Sequence, residues 1–174
     1  FAGQAFAEWR RGVHVCEPVR IPDDWTRWVA VDYGYAAPFC ALWFARSPDK
    51  SRVVVYREVY EAGWRAAYQA QMIREYSNQE RISRVAADPS MWAEREGHSD
   101  IRAKGLRRTA GDSIATDYQG EWQAYNWSTP MVKANNNRLA GKGWVHDALR
   151  YEEYPSGQMA KPPRLQVFST CVNL

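Results

Sequence analysis

Two aspartates in this 174-residue chain stand where chemistry is commonly built. Asp32 ends the apolar run Trp28-Val29-Ala30-Val31, and Asp88 ends a second run over residues 82–87. Turn residues follow each at once, Tyr33-Gly34 in one case and Pro89-Ser90 in the other. Short apolar runs bounded by turns read as strands, and side chains at strand ends converge on one edge of a sheet. Two carboxylates brought together there offer oxygen ligands, which hard cations such as Mg²⁺ require. Two such ions about 4 Å apart can hold both the attacking and the leaving oxygen of a phosphodiester. Either aspartate alone is an ordinary turn residue, since Asp-Tyr-Gly and Asp-Pro are common turn signals. The pair, separated by a hairpin and a helix, points to a site.

The other polar candidates carry less. Glu58 lies on a strand and either faces Asp32 or faces solvent. Asp112 and Asp117 flank a helix start, where capping is their natural role. His98 sits in a polar loop near Asp100, and His14 and His146 lack the paired spacing of a zinc site. No Ser-His or Cys-His arrangement suggests a side-chain nucleophile. Basic residues cluster at Arg102, Lys104, Arg107 and Arg108, and again at Lys133, Arg138 and Lys142. Both clusters are candidate DNA-phosphate contacts, which position a duplex without reading its bases; a solvated loop and a solvated helix face are the plainer alternatives. Five of the 23 basic residues are lysine, leaving 18 arginines. That excess suits bidentate phosphate binding and equally suits a genome that favours arginine codons. The nine tryptophans are spread along the chain, which favours packing over base stacking; Trp92, close to Asp88, is the one placed to meet a substrate.

These residues need a scaffold. Phe6, Val13 and Val15 suit a short strand. Residues 28–32, 39–46 and 52–60, with a Ser-Pro-Asp-Lys turn between the last two, read as three sequential antiparallel strands. Residues 64–80 have helical spacing, and residues 82–87 form a strand. The stretch 91–112 is polar and irregular. Ser113 caps a short helix to Tyr118, and residues 122–127 read as a strand. Thr129 and Pro130 open a helix expected over residues 131–150. Residues 155–163 are a loop, and residues 165–168 a last strand. The order predicts an α/β mixed sheet flanked by helices.

Length and composition bound the rest. A chain of this size suits one domain with a real core. With 45% hydrophobic and 25% charged residues, disorder is excluded. No apolar run approaches the roughly 20 residues of a membrane span. Cys16, Cys40 and Cys171 are too few and too scattered for a disulfide framework and read as buried thiols in a reducing compartment. A net charge of +3 does not by itself demand nucleic acid. Phe1 and the apolar Cys171-Val172-Asn173-Leu174 both read as cut ends.

Several of these stretches, in order, resemble the nuclease domain of the large terminase subunit of tailed bacteriophages. Trp28-Val29-Ala30-Val31-Asp32-Tyr33-Gly34-Tyr35-Ala36-Ala37-Pro38 and Val55-Tyr56-Arg57-Glu58-Val59-Tyr60-Glu61-Ala62-Gly63 are similar to the start of that domain. Ala87-Asp88-Pro89-Ser90 resembles its second acidic strand end. Ser113-Ile114-Ala115-Thr116-Asp117-Tyr118, Asn136-Asn137-Arg138-Leu139-Ala140-Gly141 and Leu165-Gln166-Val167-Phe168-Ser169-Thr170-Cys171-Val172-Asn173-Leu174 resemble later family patterns.

The resemblance implies an RNase H-like fold and a metal-dependent endonuclease that cuts concatemeric double-stranded viral DNA. It implies Asp32 and Asp88 as catalytic metal ligands, with two Mg²⁺ or Mn²⁺ ions. It implies a portal protein and a small terminase subunit as partners, and the host cytoplasm during virion assembly as the place of action. The ATPase that drives packaging is a separate N-terminal domain in the family, and no G-x-x-x-x-G-K-[ST] loop occurs here. Residues 1–174 therefore read as a single nuclease domain, expected to be a monomer when isolated and to be a fragment of a longer chain. The family's third acidic ligand lies on a helix after the last strand, which would place it beyond Leu174. His146-Asp147-Ala148-Leu149-Arg150-Tyr151 mimics that motif but precedes the last strand, so Asp147 is a weak candidate. The rival readings on the same fold are a non-catalytic DNA- or portal-docking module and a junction-resolvase-like nuclease.

Overall fold

A computed structural model describes residues 5–94 and 113–174. A helical turn, α1 (Arg11–His14), leads into β1 (Val15–Cys16). Then come β2 (Thr26–Asp32), β3 (Phe39–Arg46), β4 (Val53–Glu61), α2 (Ala66–Tyr76) and β5 (Ile82–Ala87). A 3-10 helix (Pro89–Trp92) follows β5. The remaining elements are α3 (Ile114–Ala124), β6 (Met131–Lys133), α4 (Arg138–Leu149), β7 (Glu152–Glu153), β8 (Met159–Lys161) and β9 (Leu165–Phe168).

Among the described residues, seven strands form one sheet in the order β1-β9-β4-β3-β2-β5-β6, and β7 and β8 pair separately. Strands β2, β3 and β4 form the expected antiparallel meander. The pairs β2–β5, β5–β6, β4–β9 and β1–β9 are parallel. Only β3 therefore runs against its neighbours, and the carboxyl ends of β2, β5 and β6 share one edge. This is the expected α/β architecture, a mixed sheet between helices.

The two sheet faces are built differently. Alternation in β2 and β3 sends Val29, Val31, Phe39, Ala41 and Trp43 to one face, where all are buried. Helix α2 covers that face with Ala66, Ala70 and Ile73, and α3 adds Tyr118 and Trp122. Buried positions Ala66, Gln69, Ala70 and Ile73 in α2 follow the i, i+3, i+4, i+7 spacing of a helix that buries one stripe. The indole of Trp43 donates to Ser77 Oγ at 2.8 Å, satisfying its only polar atom inside the core. On the opposite face Trp28, Leu42 and Phe44 are only half-buried. They join a second cluster with Ala148, Leu149, Val167 and Phe168.

Four local expectations are corrected. Helix α3 continues through residues expected to form a strand, because Trp122, four residues after Tyr118, packs on the same stripe and donates from its indole to Ala70 O at 2.9 Å. The helix expected to open at Pro130 opens later. Pro130 O accepts from Val85 N at 2.9 Å and Ala134 N donates to Ala87 O at 2.8 Å, so residues 131–133 are held as β6. Asn137 then caps α4, accepting from Ala140 N at 3.0 Å. Of Phe6, Val13 and Val15, expected in a short strand, Val13 lies in α1 and only Val15, with Cys16, is in a strand. Within the expected loop over residues 155–163, Met159–Lys161 pairs with Glu152–Glu153. The Ser113 cap is as expected, with a reciprocal capping box to Thr116. Among the described residues no helix is long and apolar enough to cross a membrane.

Candidate active site at the carboxyl edge of the sheet

The register between β2 and β5 carries the site. Val31 lies opposite Ala87, so Asp32, the last residue of β2, and Asp88, the first residue after β5, follow a matched pair at the same edge of the sheet. Neighbouring strands lie about 4.8 Å apart. Because successive strand side chains alternate and Val31 enters the α2/α3 core, Asp32 belongs to the opposite, half-open face. Asp32 is exposed and Asp88 half-exposed.

The turn after each aspartate explains its position. After Asp32 the chain folds back tightly at Gly34, where a Cβ would come within 2.3 Å of Ala37 O. Only glycine fits that approach. Asp88 caps the 3-10 helix, its carboxylate accepting from Ser90 N at 2.8 Å. That hydrogen bonding to Ser90 holds the Asp88 carboxyl below the usual carboxylate range, helped by the Asn136 side chain and by the nearby positive charge of Arg138. Asp88 is therefore ionised at neutral pH with its charge only partly neutralised.

The second basic cluster lies on this edge. Lys133 ends β6 opposite Ala87, and its ammonium lies 5.6 Å from the centre of the Trp92 ring. Arg138 begins α4 beside Asp88. Lys142 is one turn further along α4 and exposed. The first cluster, Arg102, Lys104, Arg107 and Arg108, lies outside the described residues, as do His98, Asp100 and Asp112.

Glu58 is placed by the β3–β4 register. It pairs with Leu42, two residues from Cys40, which pairs with both Asp32 and Tyr60. Glu58 thus shares the face of Asp32, one strand removed, and is half-exposed. Its carboxylate accepts from Asn173 N at 3.0 Å and from Asn173 Nδ2 at 2.6 Å. Between the two acids sits Cys40, whose thiol is pushed up to about 11 by burial and then by the charges of Glu58 and Asp32. The face of a strand residue depends on register, which is not readable from Glu58 and its neighbours in sequence.

The remaining candidates fall elsewhere. Asp147 is exposed at the end of α4 and pairs with Arg150 at 3.5 Å. His146 Nδ1 meets Glu8 Oε2 at 2.8 Å. His14 is buried and bonds Leu149 O through Nε2 at 2.8 Å. Asp117 lies in the first turn of α3, where a negative charge suits the helix dipole. Among the described residues, no group of three or more His, Cys, Asp or Glu side chains is arranged to hold a metal.

No family profile matches the sequence, and no curated protein sequence is similar to it. Solved structures do match. The nuclease domain of the P22 large terminase aligns with a TM-score of 0.63 at 19% identity, covering 98% of this chain and 74% of that one. The large terminase of a thermophilic bacteriophage aligns with a TM-score of 0.65 at 14% identity, covering 97% of this chain. This chain spans 34% of that second protein's length. The β2–β3–β4 meander, the parallel β5 and β6 and the flanking helices thus form the fold of the large-terminase nuclease domains of tailed bacteriophages.

Proposed function

We propose that this domain is a divalent-metal-dependent endonuclease of a viral DNA-packaging terminase, with Asp32 and Asp88 as its metal-binding pair. The observation that supports this reading is the parallel β2–β5 register, which pairs Val31 with Ala87, the residues just before the two aspartates. The donor set fits a hard cation. Both groups supply anionic oxygen, both reach solvent, and Mg²⁺ or Mn²⁺ needs few protein carboxylates because it keeps water in its shell. Asp32 and Asp88 would hold such ions, whose chemistry there would be to lower the pKa of water and to offset charge on the phosphate.

The chain's own residues do the rest. Asp32 and Asp88 hold the reacting centre at the strand ends, on backbone that the sheet makes rigid. Ser90 N orients the Asp88 carboxylate, and Asn136 and the charge of Arg138 help keep it ionised. Lys133, Arg138 and Lys142 contact the phosphate backbone and set the duplex across the edge, without base readout. Holding Lys133 over Trp92 limits its freedom before DNA arrives, so less entropy is lost when it meets a phosphate. The substrate is double-stranded DNA. In the full packaging assembly, a portal protein and a small subunit are the partners.

Thermal unfolding with Mn²⁺ tests this reading. At Mn²⁺ a hundredfold above its dissociation constant, binding stabilises by about 2.7 kcal/mol, which for this size raises Tm by roughly 5–10 °C. The wild type shows that shift, and Asp32→Ala does not. Equal behaviour of the two proteins would refute the site.

A further inference from the structure

Gln69 places a carboxamide deep in the core: it is 0% exposed, yet it belongs to no cap and no surface network. Its carboxamide is used on three sides. Nε2 donates to Gly34 O at 2.6 Å and to Trp64 O at 2.7 Å, and Oε1 accepts from Tyr118 OH at 2.6 Å. Each partner sits on a different part of the molecule. Gly34 is two residues past Asp32. Trp64 leads into α2. Tyr118 belongs to α3, which also packs against the 3-10 helix that Asp88 caps.

The turn that Gln69 grips has little freedom of its own. Gly34 is walled in by Ala37 O and Pro38 O, and Tyr35 O accepts from Gly63 N at 2.8 Å at the far end of β4. A buried carboxamide is costly unless satisfied, and here both of its donor hydrogens go to backbone carbonyls. An apolar side chain of the same shape would fill the space but leave Gly34 O, Trp64 O and the Tyr118 hydroxyl without this partner. Packing alone therefore does not explain the residue.

We infer that the Gln69–Tyr118 pair is a positioning device that holds the turns after Asp32 and Asp88 in fixed relation from beneath the sheet. This inference rests on the proposed metal role of the two aspartates. Gln69 fixes the Asp32 turn directly. Through Tyr118 it ties that turn to α3, and α3 braces the 3-10 helix under Asp88. Neither Gln69 nor Tyr118 touches the reacting centre. Both act from the face opposite to it.

The test uses Gln69→Leu and Tyr118→Phe, with Ile73→Val, one turn along the same stripe of α2, as a packing control. Two quantities are read on each folded protein: Mn²⁺ affinity by titration, and hydrogen exchange of the amides in residues 33–37. Gln69→Leu is expected to weaken Mn²⁺ binding about tenfold and speed exchange in the turn. Tyr118→Phe, which removes one bond of the three, is expected to weaken binding two- to threefold. Ile73→Val lowers Tm and changes neither quantity. Wild-type affinity and wild-type exchange in Gln69→Leu would overturn the inference. So would an Ile73→Val control that weakens Mn²⁺ binding as much, since loss of packing would then account for everything. Should Gln69→Leu not fold, Tyr118→Phe decides by the same two quantities. If the wild type itself binds no Mn²⁺, the metal reading fails, and unchanged exchange in the variants then overturns the positioning role separately.

Discussion

The two faces of the same three strands do different work. On the face under α2 and α3, Phe39, Ala41 and Trp43 are fully buried and Trp43 hands its one polar hydrogen to Ser77. On the other face, the intervening residues Cys40, Leu42 and Phe44 are half-exposed, and the end of β2 presents Asp32. Strand alternation makes this separation possible, since neighbours in sequence point to opposite sides. One side can be optimised for close packing while the other keeps charged groups near water. A pair of carboxylates set on the α2/α3 side would lose solvation that no partner there restores.

Neighbouring residues on β3 give the sharpest test of that contrast. Trp43→Ala removes a fully buried indole and should cost about 3–5 kcal/mol of stability, read by urea unfolding. Leu42→Ala, one residue away on the half-open face, should cost about 1–2 kcal/mol, below the roughly 2–5 kcal/mol of a fully buried leucine. Equal losses would mean that the two faces are equally packed. The aspartates should behave in the opposite way. Asp32→Asn and Asp88→Asn should leave the fold intact and lower metal-dependent cleavage by at least about a hundredfold, the scale of losing a group that stabilises transition-state charge.

Much of this was legible because it is local. The apolar runs ending at Asp32 and Asp88, the Ser-Pro-Asp-Lys turn and the stripe of α2 are written in consecutive residues. The misreadings concern residues whose structure is decided at a distance. Met131–Lys133 is too short a run to read as a strand by itself; it is extended because it pairs along β5. Trp122 looks like a strand residue until Tyr118 and Ala70 are known to lie beside it. Glu58 could not be assigned to a face without the β3–β4 register, which is irregular between Trp43 and Phe44. Gln69 gave no signal at all, since a glutamine in an amphipathic helix ordinarily faces water. The terminase resemblance, by contrast, was carried largely by turns and strand ends, the features that set the edge of the sheet.

Smaller effects refine the picture of the edge. Ser113→Ala removes the capping box of α3 and should cost about 1 kcal/mol, far from the metal-binding pair, with cleavage unchanged. If DNA lies along β6 and α4, replacing Lys133, Arg138 or Lys142 with glutamine should each lower the slope of log affinity against log salt by about 1. A replacement that leaves the slope unchanged places that residue off the DNA track.

The smallest effect concerns pH. The Asp88 carboxyl is held below its ordinary range chiefly by its bonds to Ser90. Its contribution to stability is therefore present above the ordinary carboxylate value, about 3.9, and is lost as pH falls through the lower folded value. Wild type should lose slightly more stability on acidification than Asp88→Asn, seen as a larger drop in urea midpoint between pH 6 and pH 3. An identical drop in both proteins would mean that the Ser90 contact does not depend on charge.

Cleavage of supercoiled plasmid with Mn²⁺ tests the central claim most directly, comparing the wild type with Asp32→Asn and Asp88→Asn. Nicked and linear products are expected from the wild type, none in the presence of a chelator, and almost none from either variant. Cleavage by the variants at the wild-type rate, or cleavage that survives chelation, would contradict it.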